Sequence, residues 1–69
     1  MAPEPRLQNR LKAERARLDL TQAALAERVG VSRKTINTVE NGVFVPSTVL
    51  ALKLAAALGV SVEGLFCLE

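Results

Sequence analysis

Apolar positions recur along this chain of 69 residues at helical rather than strand spacing. Leu7, Leu11 and Leu18 fall four and seven apart with Arg6, Arg10, Lys12, Glu14 and Arg17 between them, which predicts a first helix over about residues 5–18. Pro5 suits the first turn of that helix, and Met1–Glu4 is expected as a flexible tail ahead of one domain spanning residues 5–69. Thr21 can cap a second helix over about Gln22–Val29, with Leu25, Ala26 and Val29 on one inward face and Gln22, Glu27 and Arg28 pointing away. Gly30 ends it, because glycine takes the left-handed conformation a helix terminus needs at low steric cost.

Val31 then anchors the turn, and Ser32 caps a third helix of about Arg33–Asn41. Ile36 and Val39 are its apolar residues, so its buried stripe is narrow and Arg33, Lys34, Thr35, Asn37 and Thr38 are left facing solvent. Asn41-Gly42 stops it, and Val43–Pro46 form a loop carrying Phe44. Ser47 caps a fourth helix running to Leu58, in which Thr48 and Lys53 are the only polar residues. A helix apolar almost all round is more than a small domain covers by itself. Ser61 opens a last short turn through Leu65, and Phe66–Leu68 are read as a short extended tail. The fold class is all-α: five short helices around one core.

Composition narrows what such a domain can do. Lys and Arg outnumber Asp and Glu by nine to seven, and the excess is uneven: residues 1–40 hold eight bases and five acids, residues 41–69 one base and two acids. The basic half therefore contains the third helix. A single cysteine and no histidine leave no disulfide framework and no zinc ligand set, and no cofactor is expected. Cys67, with nothing basic beside it, reads as a small buried hydrophobe rather than a redox sensor. With no general base, no activated nucleophile and no phosphate-binding glycine loop, an enzyme is not expected. No apolar run reaches membrane-spanning length and no secretory signal is legible, so a cytoplasmic location follows.

The stretch Gln22–Asn41, QAALAERVGVSRKTINTVEN, resembles the helix-turn-helix of the lambda-repressor-like, or Xre/Cro, DNA-binding family. Counting Gln22 as one, Ala26 falls at five, Gly30 at nine, Ile36 at fifteen and Val39 at eighteen, and Glu40-Asn41-Gly42 followed by Pro46-Ser47 completes the pattern. The similarity extends over about residues 7–66 and is greatest to short, single-domain members carrying an aromatic before Pro-Ser, here Phe44, and a Leu-Phe near the end, here Leu65-Phe66. It implies a transcriptional regulator, a repressor by preference, that binds an inverted-repeat operator in double-stranded DNA as a homodimer. Its dimer interface is expected at Val49, Leu52, Ala56, Val62, Leu65, Phe66 and Leu68.

Within that frame the third helix reads the major groove. Arg33 and Lys34 would reach guanine acceptors, Asn37 would pair with adenine, and Thr35 and Thr38 would offer hydroxyls or a methyl to thymine, Thr38 being equally suited to phosphate. Gln22, Ser32 and Asn41 are assigned to backbone phosphate, Gln22 from a helix N-terminus whose free N–H groups favour an anion. Val43 stands where the family often has Lys or Arg. Arg15 and Glu40 occupy positions that in repressors of this type form an ion pair. A second use of the apolar fourth helix and tail, as a dock for another protein, stays open at this stage.

Overall fold

A computed structural model describes residues 6–69, so the expected tail Met1–Glu4 and Pro5 lie outside the described residues. The chain runs β1 (Leu7–Asn9), α1 (Leu11–Arg17), α2 (Gln22–Val29), α3 (Arg33–Glu40), α4 (Thr48–Leu58), α5 (Val62–Leu65) and β2 (Phe66–Leu68). The five helices enclose one core in which Leu11, Leu25, Ile36, Leu54, Leu58 and Leu65 are fully buried. Each such side chain withdrawn from water contributes about 1.5–3 kcal/mol before entropy is counted. Among the described residues, no helix is long and apolar enough to cross a membrane.

Helices α2 to α5 start where their hydroxyls place them. Thr21, Ser32, Ser47 and Ser61 each accept a hydrogen bond from the backbone N–H three residues on, those of Ala24, Thr35, Leu50 and Gly64, at 2.9–3.2 Å. Each cap satisfies an N–H that the helix cannot pair internally.

Expectations at the two ends of α1 are corrected, and with them the fold class and the place of Cys67. The first helix begins at Leu11, not near residue 5, because Leu7–Asn9 pair antiparallel with Phe66–Leu68, in the register Leu7 to Leu68, Gln8 to Cys67 and Asn9 to Phe66. The chain is therefore helical with one small two-stranded sheet rather than all-α, and the expected extended tail is the second strand. Strand alternation turns Phe66 into the core and Cys67 outward, so Cys67 is exposed rather than buried.

The end of α1 also differs from expectation. Leu18 does not continue a core stripe; it caps the helix and is 38% exposed, while Leu20 packs against the core in its place. Asp19 adopts a left-handed φ of 55°, its N–H bonds to the Ala16 carbonyl, and the Leu20 N–H returns to the Arg15 carbonyl. That arrangement closes the helix and reverses the chain direction. The α2, α3 and α4 termini repeat it at Gly30, Gly42 and Gly59, with Val31, Val43 and Val60 donating to the carbonyls of Ala26, Thr38 and Ala55. Asp19 is the one terminator with a side chain that resists this conformation. Replacing Asp19 with Gly is expected to raise stability by about 0.5–1 kcal/mol; urea unfolding followed by circular dichroism would show it as a higher midpoint at unchanged slope.

Candidate nucleic-acid interface

Helices α2 and α3, joined by the turn through Gly30, Val31 and Ser32, cross where Ala26 is only 3% exposed. A small side chain at Ala26 lets the two helices approach. Ile36 and Val39 hold α3 against the core, and a period of about 3.6 residues then puts Lys34, Asn37, Thr38 and Asn41 on the opposite face. Arg33 is exposed on the flank of that face nearer Glu40, and Thr35 is half-buried on the other flank.

The orientation of α3 is fixed by polar contacts at its C-terminal end. Glu40, whose side chain is 4% exposed, accepts from Arg15 Nε at 2.7 Å and Nη2 at 3.3 Å, and from Gln22 Nε2 at 3.1 Å. Arg15 in turn donates through Nη1 to the Leu20 carbonyl at 2.8 Å. A nearly buried carboxylate here meets a guanidinium from α1 and an amide from α2, so three helices join at one residue.

A further link was not legible in the sequence. Asn9, in the stretch expected as helix, ends β1 and donates through Nδ2 to the Val39 carbonyl at 2.9 Å, while its Oδ1 accepts from the Leu11 N–H at 3.1 Å. One amide thus ties the terminal sheet to the last turn of α3 and caps the start of α1. Nothing in its local sequence marks it, because its partner lies thirty residues away.

Several side chains on α3 are engaged within the helix. Ser32 Oγ and Thr35 Oγ1 share a hydrogen bond at 3.0 Å, Thr38 Oγ1 donates to the Thr35 carbonyl at 2.9 Å, and Asn41 Nδ2 donates to Asn37 Oδ1 at 3.1 Å. Arg33 and Lys34 are exposed. The face carries no acid, because the one carboxylate of α3 is turned inward onto Arg15.

The residues expected at a dimer interface divide. Val49 (62% exposed), Leu52 (56%) and Leu68 (63%) lie open on the surface, as does Ala56. Leu65 and Phe66 do not, being 1% and 8% exposed inside the chain's own core, and Val62 is half-buried against it. The β1–β2 pairing is what draws this end of the chain inward, leaving Val49, Leu52, Ala56 and Leu68 as the residues of that set still uncovered.

Two helices joined by a tight turn, the second presenting a polar, acid-free face, define a helix-turn-helix. The helix-turn-helix family model matches residues 11–65. An HTH-type transcriptional regulator of Bacillus subtilis, YgzD, is 43% identical over 63 residues, covering 91% of this chain and 96% of that protein. One from Methanocaldococcus jannaschii is 46% identical over 63 residues, with the same coverage. The restriction-modification controller protein C.AhdI of Aeromonas hydrophila superposes with a TM-score of 0.76 at 36% identity, over 80% of this chain and 83% of that one. The chain belongs to the Xre, or lambda-repressor-like, helix-turn-helix family of DNA-binding transcriptional regulators.

The Glu40 network yields a stability test. Replacing Glu40 with Ala leaves Arg15 without its carboxylate and should cost about 3 kcal/mol or more. Glu40→Gln, which keeps a hydrogen-bonding oxygen near Gln22 and Arg15, should cost less. Denaturant melts of both variants measure the difference, and equal stability of Glu40→Ala and the parent would show the ion pair to be dispensable.

Proposed function

We propose that the chain is a repressor that binds an inverted-repeat operator as a homodimer, placing α3 in the major groove of each half-site. The observation that carries this reading is the outward face of α3: Lys34, Asn37, Thr38 and Asn41 flanked by Arg33, with the helix's only acid turned inward. DNA carries phosphates on both sides of the groove, so a single outward carboxylate there would oppose binding.

In this reading Arg33 and Lys34 supply donors to guanine O6 and N7, and Asn37 pairs with adenine after exchanging its bond with Asn41. Thr35 and Thr38 make the remaining base contacts. Gln22 keeps one amide N–H on Glu40 and directs the other, with the N-terminal N–H groups of α2, to a phosphate. Ser32 and Asn41 bracket α3 with further phosphate contacts that position without specifying sequence. A two-fold dimer built on Val49, Leu52, Ala56 and Leu68 would set half-sites about one helical turn, roughly 34 Å, apart. Occupying such a site blocks polymerase.

Duplexes selected from a random pool test the reading directly. Lys34→Ala should lose about 1–3 kcal/mol of discrimination at one base pair per half-site, whereas Gln22→Ala should weaken selected and random duplexes by the same factor. Equal affinity for selected and random duplexes across a salt titration would remove sequence-specific binding from consideration.

The dimer is tested separately. Leu52→Lys places a charge in the proposed apolar contact, and sedimentation should show it as a folded monomer where the parent sediments as a dimer. A parent protein that is monomeric at every concentration, and soluble, would argue against the homodimer.

A further inference from the structure

Beside the outward face of α3 lies a cleft of about 180 Å³ lined by Ser32, Lys34, Thr35, Thr38 and Phe44. Four of the five belong to α3 or its cap. The fifth, Phe44, comes from the following loop, and its position is set by backbone: the N–H groups of Val43 and Phe44 both bond to the Thr38 carbonyl, at 3.0 and 3.2 Å. Phe44 is 47% exposed although it is the larger of the apolar side chains in that loop. An aromatic ring is thus held half in water at the rim of the DNA-facing helix.

The chemistry of the lining is specific. Thr38 directs its hydroxyl donor to the Thr35 carbonyl, and Thr35 shares its hydroxyl with Ser32. With these hydroxyls engaged inside the helix, the methyl groups are the apolar surface the two threonines offer a visitor. Together with the Phe44 ring they give the cleft an apolar wall, and Lys34 is its only charged residue. In the major groove the one apolar group that distinguishes a base is the C5-methyl of thymine, which lies beside the hydrogen-bonding edge and is contacted by threonine methyls and phenylalanine. Lys34, in the same lining, complements the phosphate charge of the strand that would carry such a base.

We propose that this cleft is a thymine-methyl subsite, with Phe44 as a specificity-determining residue outside the recognition helix. The inference rests on α3 entering the major groove, as proposed above, and deepens it: Thr35 and Thr38 read by methyl contact rather than by hydroxyl, and the loop after α3 completes the reading face. The subsite imposes thymine at one position per half-site, beside the base pair contacted by Lys34.

The test replaces thymidine by deoxyuridine, one position at a time, in a duplex selected by the parent protein from a random pool, with affinity followed by fluorescence anisotropy. Deoxyuridine deletes the C5-methyl and leaves every base-pairing group in place. One position per half-site should lose about three- to tenfold in affinity for the parent protein. Thr38→Ser, which removes a methyl while keeping the hydroxyl bond to Thr35, and Phe44→Ala should each bring the thymidine-to-deoxyuridine ratio at that position towards unity, leaving other positions unchanged. Circular dichroism melts establish that both variants are folded, and Phe44→Leu, which retains apolar bulk, should preserve part of the ratio. A selected duplex in which no deoxyuridine substitution matters, or a ratio unmoved in folded Thr38→Ser and Phe44→Ala, would overturn the subsite while leaving major-groove binding intact. A protein that selects no sequence from the pool would overturn both.

Discussion

Glu40 receives three hydrogen bonds from two other helices, and the placement of the outward face of α3 depends on them. A carboxylate this deeply buried would be costly alone; Arg15 supplies the compensating charge and Gln22 satisfies a further lone pair. Hydrophobic contacts through Ile36 and Val39 keep α3 in the core, but they form a narrow stripe about which a helix of eight residues can rotate. A directional ion pair at one end removes that freedom. It also hides the only negative charge on α3, so the same bond that orients the helix leaves its outward face free of acids.

A second regularity organises the rest. Four successive helices end in a left-handed residue followed by an apolar one whose N–H turns back to the carbonyl five residues earlier. After α1, α2 and α4 that apolar residue, Leu20, Val31 or Val60, packs against the core. After α3 it is Val43, 78% exposed, and Phe44 and Val45 beside it are 47% and 67% exposed. The same terminator therefore serves packing three times and presents apolar groups once, next to the polar face of α3.

Helix α4 carries the other uncovered surface. Its buried stripe of Leu50, Leu54, Ala55 and Leu58 supplies the core, while Val49 and Leu52 face out. Apolar groups on both sides suit a helix packed between a core and a second molecule. The two open apolar regions meet: Phe44 of the loop after α3 and Val49 of α4 line one cleft, while Leu52, further along α4, lines a groove with Leu7, Val62 and Phe66.

The boundaries of α2 and α4 and the starts of α3 and α5 were legible because each rests on neighbours in the chain: a hydroxyl three residues before the N–H it caps, a glycine just past the last turn, apolar residues at helical spacing. Those determinants act within a turn or two, and sequence order preserves them. What the tertiary structure alone decided has partners far apart. Leu7–Asn9 show helical spacing with Leu11, yet they form a strand because Phe66–Leu68 supply a hydrogen-bonding edge some sixty residues later. That pairing draws Leu65 and Phe66 into the core, although their apolar character is equally consistent with an interface. Asn9 gains its role from the Val39 carbonyl, and Leu20 displaces Leu18 from the core because Asp19 takes a left-handed turn that its residue type disfavours. A periodic pattern states which side chains avoid water; which surface they find to do so is settled only when the whole chain has closed.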